Sequence, residues 1–571
     1  MGSWRNLVPA IRQVRTYERR WLGKDIAAGL VITGLLAPAG MAYASAAGLP
    51  PVTGLYATIV PLFVYAIFGP SRIMVLGPDS SLTPLLVATI LPLAAANSSE
   101  AVAIAGALSI IAGLMCVAAG LARFGFIAEL LSAPVRYGYL HGIAVTIIVA
   151  QAAKLCGFGV DGESLFSQLR QFVGGLDDGK LNGWALAVGL VSVLLIVLLK
   201  RISPAFPATL IVVIVGIVLA LVWSLGDAHA VPLVGDLPRG LPSPAIPDVD
   251  WSTARTLMGA SLGIAFVSFA DTSVLSRTMA LRRHEHVDAN HELVALGIAN
   301  VASGLFHGFP ISASNSRTPV AEAAGSRSQL TGVVAAVTLL VIAFAAPTTF
   351  RHLPDASLAA IVIAAAISLI DIPAMVRLYR VRRSEFALAV AAWLAVAVLG
   401  PVTGVVVAVA LSILNFLRLA WKPHTAELVR VDGLKGYHDR GRHPEGRVVP
   451  GLMLYRFDAP LFFANAHFFA EDLQRRIEHQ GEPVRCVIVT AEPITDIDTT
   501  AADALAELYA DLSHRDVELR FVELKGEVHE RLDRYGVFPD GMPRHTARTT
   551  GQAVKDYVRD YDIEWVDWED R

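Results

Sequence analysis

The chain has 571 residues, of which 54% are hydrophobic and 17% are charged, and its formal net charge is −3. With a mean hydropathy of +0.54 it is too apolar for an ordinary soluble protein, so we expect a polytopic protein embedded in a lipid bilayer. The composition gives no support to nucleic-acid binding. Three widely spaced cysteines, Cys116, Cys156 and Cys486, predict neither a disulfide nor a metal site.

The arginine-rich residues 1–24 are expected to form a cytoplasmic segment, and residues 25–421 a transmembrane transport domain. No Asp, Glu, Lys or Arg occurs between Ile26 and Ser71, which leaves room for two spans of about 20 residues. Further apolar runs bring the predicted total to about fourteen spans. After the span near Ile26 they cover residues 52–68, 82–96, 101–121, 138–153, 184–199, 205–225, 257–280, 294–306, 308–325, 330–346, 356–370, 386–399 and 402–420.

The charges of the predicted loops divide by sign. If the N-terminus is cytoplasmic, basic residues such as Arg72, Arg123 and Lys200 fall on the cytoplasmic side, and acidic residues such as Asp161 and Asp236 on the other. This split predicts a multi-pass membrane protein with a defined orientation, and we expect it in the plasma (cell inner) membrane. Its N-terminus and C-terminal domain would both be cytoplasmic.

Two matching polar segments interrupt the hydrophobic sequence. Seven plus seven spans predict two repeats of inverted topology, and the third span of each half opens with a similar motif: GPDSSLTP at residues 77–84 and GFPISASNSRTP at residues 308–319. Half-helices starting near Ser80 and Ser314 would direct free N–H groups at one point, which favours an anion. The hydroxyls of Ser80, Ser81, Ser314 and Ser316 and the charge of Arg317 would add to this site. Alternatively, the serines only cap helices and Pro310 bends a span.

Asp271 lies inside the uncharged run SLGIAFVSFADTSVL at residues 261–275. A carboxylate in such a segment is costly unless it serves ion or proton movement. We therefore expect Asp271 to take part in coupling to H+ or Na+. The alternative is a structural ion pair with Arg317 or Arg277.

Several motifs resemble the SulP anion transporters, the family of the sulfate carriers and prestin. They are residues 25–56, GPDSS, GFPISASNSRT and PLFFANA at residues 460–466. The resemblance implies a uracil-permease-like fold with a mobile core of spans 1–4 and 8–11, a gate domain and a homodimer. It also implies an anion site lined by the residues Tyr43, Asp79, Ser80, Ser314, Asn315, Ser316 and Arg317. The family commonly has glutamine at the position of Ala39, so the identity of the anion stays open.

The composition changes after Trp421, where charges become dense. Following a linker at residues 422–445, strand patterns at 451–457, 484–489 and 517–522 alternate with helix patterns at 466–479, 500–514 and 528–535. This α/β domain at residues 446–571 resembles the STAS domain of SulP transporters. The resemblance implies a cytoplasmic protein partner for this domain. Thr499 or Thr500 could be a regulatory phosphorylation site, or could simply belong to a helix start capped by Asp498.

These features together predict a secondary active transporter that takes up sulfate with H+ or Na+ by an elevator-type alternating-access mechanism. Bicarbonate, a dicarboxylate such as fumarate, or a role as a membrane anion sensor remain alternatives. No enzyme is predicted, because no nucleophile, base and orienting group occur at a recognisable spacing. No cofactor is expected besides the co-transported ion, and the histidines near His284 lack the spacing of a zinc site.

Overall fold

The chain folds into two compact units, Met1–Ile413 and Leu414–Arg571. The computed structural model describes residues 9–126, 132–160, 165–202, 208–285, 287–314, 317–345, 347–538 and 549–570. The boundary between the units lies within the last apolar helix, a few residues before the predicted end of the transport domain at residue 421.

The first unit is helical apart from two short strands, β1 (Leu76–Gly77) and β2 (Ser312–Ala313). Its α-helices are α1 (Pro9–Arg15), α2 (Leu22–Ala46), α3 (Pro51–Phe68), α4 (Thr83–Ile90), α5 (Ser99–Leu121), α6 (Ala133–Leu155), α7 (Leu165–Asp177), α8 (Gly183–Ile202), α9 (Ala208–Val222), α10 (Leu225–His229), α11 (Trp251–Arg283), α12 (Ala289–Leu305), α13 (Arg317–Ala323), α14 (Leu330–Ala345), α15 (Asp355–Ile367), α16 (Ile372–Val381), α17 (Arg383–Leu399) and α18 (Pro401–Trp421).

Every predicted apolar segment contains one of these helices, so the polytopic helical fold is confirmed. Within the described ranges, eight helices are long and apolar enough to cross a membrane. The other predicted spans contain shorter helices. For example, α12 and α17 have 17 residues each, and α4 and α13 are short because extended backbone precedes them. The total of fourteen crossings stays a prediction.

The membrane helices pack as two bundles. In the first bundle, α5 packs on α11 and α12, α3 on α2 and α12, and α14 on α2. In the second, α6 packs on α15 and α17, and α8 on α9 and α15. Contacts between the bundles run mainly through α2, which meets α9 and α15. The first bundle contains the helices of spans 1–4 and 8–11, the division that the family resemblance implies.

Glycines bring α5 and α12 into backbone contact. A Cβ added at Gly113 would lie 2.6 Å from the carbonyl oxygen of Gly297, and one added at Gly304 would lie 2.4 Å from that of Gly106. Such small-residue contacts let helices associate closely where no hydrophobic effect drives them together. They make the first bundle a tightly packed body.

The second unit contains a five-stranded sheet. Its strands are β3 (Thr425–Arg430), β4 (Tyr437–Asp439), β5 (Leu452–Phe457), β6 (Cys486–Thr490) and β7 (Glu518–Val522), in the order β4-β3-β5-β6-β7. Strands β5, β6 and β7 are parallel, as expected from strands alternating with helices. The helices are α19 (Ala466–Glu478), α20 (Thr499–His514), α21 (Gly526–Tyr535) and α22 (Thr550–Asp560).

Residues 422–445, predicted as a linker, contain strands β3 and β4. Strand β3 pairs antiparallel with both β4 and β5, so this segment belongs to the sheet. The strands were not predicted because the charged residues Glu427 and Arg430 suggested an exposed segment. In the structure both side chains make contacts at the sheet. Arg430, which is 3% exposed, donates hydrogen bonds to both oxygens of Asp567.

Asp472 on α19 fastens this helix to the sheet. Its carboxylate accepts hydrogen bonds from Tyr455 (3.0 Å), Thr425 (2.9 Å) and Arg476 (2.9 Å). Burial alone would raise the pKa of Asp472, but the Arg476 guanidinium and the hydroxyl donors outweigh it and hold that pKa below its usual range. Its stabilising contribution is therefore complete above the unfolded-state pKa and is lost as the pH falls through the folded-state pKa.

We expect Asp472→Asn to destabilise the second unit by about 1–3 kcal/mol at neutral pH, because charged hydrogen bonds are lost. Hydrogen exchange of the β5 amides in the full chain measures this, and the variant should also lose part of the acid sensitivity. Glu478→Gln, on the same helix but exposed, is the matched control. Equal β5 exchange in Asp472→Asn and the control would contradict the prediction.

Candidate anion site

The two matching polar segments meet in the first unit. Strands β1 (Leu76–Gly77) and β2 (Ser312–Ala313) pair antiparallel, and each leads into a short helix, α4 or α13. The pairing continues where Ser314 N–H donates to the Val75 carbonyl (3.2 Å) and Val75 N–H donates to Thr318 Oγ1 (3.1 Å). The half-helices of the two repeats therefore start beside one another, as the sequence predicts.

Side chains of neighbouring helices satisfy the buried extended backbone. Asn300 on α12 accepts a hydrogen bond from Ile311 N–H (2.8 Å) and donates to the Ile311 carbonyl (3.2 Å). Thr272 on α11 accepts one from Ala313 N–H (3.2 Å). Non-helical backbone at membrane depth requires such partners. Sequence reasoning missed Asn300 and Thr272, because nothing in their own segments signals a distant backbone partner.

Arg317 begins helix α13 and is only 4% exposed. Its Nη2 donates to the Pro78 carbonyl and lies 3.8 Å from an Asp79 carboxylate oxygen. Its Nη1 is buried and has no hydrogen-bond partner within the part of the chain that the structure describes. A buried donor left in this state is costly, so this atom is poised to receive an acceptor from outside the chain.

A cavity of about 270 Å³ borders this guanidinium. Tyr43, Ser80 and Arg317 supply polar groups at its wall, and Ala39 lies on the wall too. Most of the remaining surface is apolar, a combination typical of small-molecule sites. The other lining residues are Leu35, Ile196, Lys200, Ala208, Thr209, Val320, Ile361, Ala364, Ala365 and Ser368.

Asp79 and Ser314 support the site without lining this cavity. Asp79 accepts hydrogen bonds from the Ser81 N–H (3.1 Å) and hydroxyl (3.0 Å), so its carboxylate caps the turn before α4 while facing Arg317. Ser314 Oγ accepts from Arg317 N–H (3.3 Å) and caps α13. The capping alternative considered for the serines therefore describes Ser314, and Asp79 has a capping role as well. Two other predicted site residues, Asn315 and Ser316, lie outside the described residues.

Asp271 is 6% exposed on α11. It lies near the place where the half-helices α4 and α13 start beside one another, which we call the half-helix crossing. Its carboxylate lies beside the Ser81 side chain and within electrostatic range of Asp79. In the described ranges no ion pair joins Asp271 to Arg317 or Arg277, so the structural pairing considered from the sequence is not present. Asp271 thus neighbours the site through α4 and does not line the cavity.

Tyr139 on α6 faces the same region. It is 1% exposed, and its hydroxyl is buried with no hydrogen-bond partner among the described residues. Both Asp271 and Asp79 are within its electrostatic range. Aromatic residues near the start of a span often lie at the membrane interface, whereas Tyr139 is buried within the protein. Its i, i+4 spacing from the buried Ile143 on α6 offered only a weak signal.

Comparison with known proteins identifies the family. A sequence model of the sulfate permease family matches residues 22–392, which is most of the first unit. The chain belongs to the sulfate permease family. A second model, of the STAS domain, matches residues 443–553, so both parts of the predicted family architecture are confirmed.

Relatives of this sulfate permease family member span nearly its whole length. A probable sulfate transporter of Mycobacterium tuberculosis is 39% identical over 551 residues, covering 96% of this chain and 98% of that protein. The chloroplastic sulfate transporter 4.1 of Arabidopsis thaliana is 29% identical, covering 93% and 79%. These names support anion transport as the activity of the family.

Solved structures show the same fold. The murine solute carrier 26 member A9 anion transporter matches with a TM-score of 0.86 at 22% identity, covering 96% of this chain and 94% of that one. The transmembrane domain of the cyanobacterial bicarbonate transporter BicA matches with a TM-score of 0.59 at 21% identity, covering 70% and 98%. The sulfate permease fold, with its multi-pass membrane unit, is therefore shown for this chain.

The STAS domain places Thr499 and Thr500 at the exposed start of α20. Asp498 caps this helix by accepting a hydrogen bond from Ala501 N–H (2.8 Å), and its other oxygen accepts from Phe463 N–H (2.8 Å). The capping alternative is therefore realised by Asp498 itself. Both threonine side chains remain accessible, and their regulatory role stays a prediction.

Proposed function

We propose that this protein is a secondary active transporter that takes up sulfate together with H+ or Na+. The observation that carries the proposal is the buried Arg317, which lines a cavity together with Tyr43 and Ser80 and whose Nη1 has no hydrogen-bond partner among the described residues. An oxyanion there would accept charge-assisted and hydroxyl hydrogen bonds. The sulfate transporter names of relatives 39% and 29% identical to this chain support sulfate as the anion.

The charges around the crossing supply a reason for coupling. Arg317 faces Asp79, and Asp271 has both the Asp79 carboxylate and the Arg136 cation within electrostatic range, so the two carboxylates repel each other when both are ionised. A doubly negative oxyanion is repelled in that state. Binding of a proton or Na+ near Asp271 removes part of the repulsion, because opposite charge and anion then enter a low-dielectric site together.

The two walls of the cavity differ in a way that favours alternating access. The polar groups of Tyr43, Ser80 and Arg317 belong to the first bundle, whereas the second bundle contributes mainly apolar residues such as Ile196 and Ile361, together with Lys200 at the end of α8. The first bundle therefore holds most of the polar partners of the anion and can carry them with it past the second bundle. This is the geometry expected of an elevator-type mechanism.

A contact between the two bundles would close the route of the anion on the side of the half-helix crossing that is opposite to the first cavity. A second cavity, of about 250 Å³, is lined by Ser45, Thr83, Ala88, Lys154 and other residues. Lys154 of the second bundle donates a hydrogen bond to the Ser45 carbonyl at the end of α2, two residues beyond Tyr43. We propose that this cavity opens outward when the first bundle moves.

Replacement of Lys154 by methionine is expected to open this outer cavity more often, because the contact between the bundles is lost. A cysteine placed at Ala88 should then react several-fold faster with a membrane-impermeant maleimide. Lys180→Met, which removes an exposed lysine paired with Asp178, is the matched control. An unchanged rate in Lys154→Met would contradict this assignment of the outer closure.

Uptake of radiolabelled sulfate into proteoliposomes, with and without an inward H+ or Na+ gradient, tests the proposed substrate. Gradient-stimulated entry that unlabelled sulfate suppresses more strongly than bicarbonate, fumarate or chloride is the expected result. Entry of labelled bicarbonate or fumarate without entry of sulfate would show that the protein transports that anion instead. Such a result would agree with the alanine that stands at position 39 in place of the family's usual glutamine. Absence of flux for every anion would leave the anion-sensor alternative.

The family resemblance supports the remaining features of the proposal. We place the protein in the plasma membrane with the N-terminus and the STAS domain in the cytoplasm. We also propose a homodimer, a cytoplasmic protein partner for the STAS domain, and no cofactor other than the co-transported ion. A protein of this family with this cavity needs no enzymatic chemistry to move its anion.

A further inference from the structure

An arginine-lined cavity lies at the start of α2, far along that helix from Tyr43. Its volume is about 460 Å³. Four cations and two carboxylates converge there, so positive charge is in excess. The residues that line this arginine pocket are Trp21, Arg72, Arg282, Arg283, Glu285, Glu322, Ser326 and Arg327.

Ion pairing accounts for only two of the four arginines. Arg72 lies 3.5 Å from Glu285, and Arg282 lies 3.5 Å from Glu322. Arg283 Nη2 donates to the Ser326 carbonyl (3.3 Å), while its Nη1 is buried with no hydrogen-bond partner in the described part of the chain. No described ion pair includes Arg283 or Arg327. The pocket thus offers unneutralised guanidinium groups, which suit a phosphate group.

The walls of the arginine pocket are fixed by a buried carboxylate. Asp25 on the first turn of α2 is fully buried and accepts hydrogen bonds from Arg327 N–H (2.7 Å), Ser328 N–H (3.2 Å), Ser328 Oγ (2.7 Å) and Thr331 Oγ1 (3.0 Å). These bonds hold the segment that carries Arg327 against α2. The pocket is therefore a built feature of the first bundle, unlike a set of unrelated surface arginines.

An apolar stripe leads away from the pocket into the membrane. Directly after Trp21, the side chains of Leu22, Ile26 and Leu30 are 47%, 41% and 54% exposed, and their i, i+4 spacing puts them on one face of α2. In the first unit such exposed apolar side chains face lipid. Tryptophan at the start of the stripe marks the level of the bilayer interface.

We propose that the arginine pocket binds the phosphate headgroup of an anionic phospholipid, whose acyl chain lies along the stripe of Leu22, Ile26 and Leu30. Charge complementarity favours this ligand, because the unneutralised guanidinium groups lie at the depth of the phosphate headgroups. The acyl chain of the same lipid would cover the exposed apolar side chains of the stripe. The lipid contacts α2, the end of α11 and the segment between α13 and α14. The lipid thereby connects three parts of the bundle that contains Arg317. The proposed lipid site does not depend on which anion the protein transports.

Native mass spectrometry and thermal unfolding of the full-length protein, delipidated in detergent, test the proposal. We expect added phosphatidylglycerol to be retained and to raise the Tm, while phosphatidylcholine does neither. Arg283→Gln and Arg327→Gln should each weaken phosphatidylglycerol binding roughly fivefold, the effect of losing about 1 kcal/mol per arginine. Arg327 is exposed, so its variant folds even where a change at Arg283 does not.

A matched control separates this pocket from general attraction to basic surfaces. Arg377→Gln and Arg380→Gln remove exposed arginines from the amphipathic helix α16, and they should leave lipid retention close to that of the unmodified protein. Equal losses in the pocket and control variants would overturn the proposal. It would also be overturned if millimolar inorganic phosphate raised the Tm as much as the lipid does, since the pocket would then hold a soluble anion.

Discussion

Replacement of Arg317 by glutamine is expected to abolish most anion uptake while the protein stays folded. The variant removes the guanidinium that borders the cavity and leaves Asp79 as an uncompensated carboxylate beside it. Loss of one partner of a buried charge pair costs about 2–5 kcal/mol, so kcat/KM should fall at least about 30-fold. Uptake of labelled anion and direct binding to the purified protein both measure this change.

Two controls define what the loss means. Arg317→Lys keeps the charge but not the forked donor geometry, so we expect partial activity. Lys200→Gln removes the other cation of the cavity lining, at the end of α8, and should affect uptake much less. If Arg317→Gln and Lys200→Gln bind the anion with equal, undiminished affinity, the guanidinium does not hold the substrate.

Asp271→Asn is expected to remove the response of uptake to the cation gradient. The amide cannot take up a proton or attract Na+, and the negative charge within electrostatic range of Asp79 is permanently lost. Anion binding itself should persist, because Asp271 does not line the cavity. Uptake measured at several inward gradients should change from gradient-stimulated in the unmodified protein to gradient-independent in the variant.

Glu292 provides the matched control for this experiment. It is another fully buried carboxylate of the first bundle, and it accepts hydrogen bonds from Tyr65, Ser71 (2.9 Å) and Ser276 (2.9 Å). These donors tie α12 to α3 and α11, so Glu292→Gln should lower stability without removing the gradient response. Loss of the response in Glu292→Gln but not in Asp271→Asn would move the coupling site to Glu292.

The centre of the candidate site could be predicted from the sequence because its signal is local. The motifs at residues 77–84 and 308–319 repeat the same order of glycine, proline and hydroxyl residues, and the structure pairs their strands directly. Arg317 was identifiable because a charge is rare in such a segment. The absence of a hydrogen-bond partner for its Nη1 among the described residues could not be predicted, since it depends on how α13 packs.

The supporting residues could not be predicted, because their roles arise from contacts distant in the chain. Asn300 and Thr272 hold backbone of the second polar segment, and Tyr139 approaches Asp271 from another bundle. In the STAS domain, strand β3 was concealed by charged residues that turn out to be paired at the sheet. Sequence patterns indicate which side chains prefer water. The polar side chains named here contact protein groups instead, so the patterns could not reveal their roles.

The position of the bound anion decides whether Arg317 forms the transport site. Selenate, a heavier analogue of sulfate, can be placed by anomalous scattering in crystals of the full chain. We expect a selenium peak with oxygens at hydrogen-bond distance from Arg317 Nη1 and Ser80 Oγ. A peak in the outer cavity beside Lys154, or in the arginine pocket, with none at Arg317, would contradict this assignment.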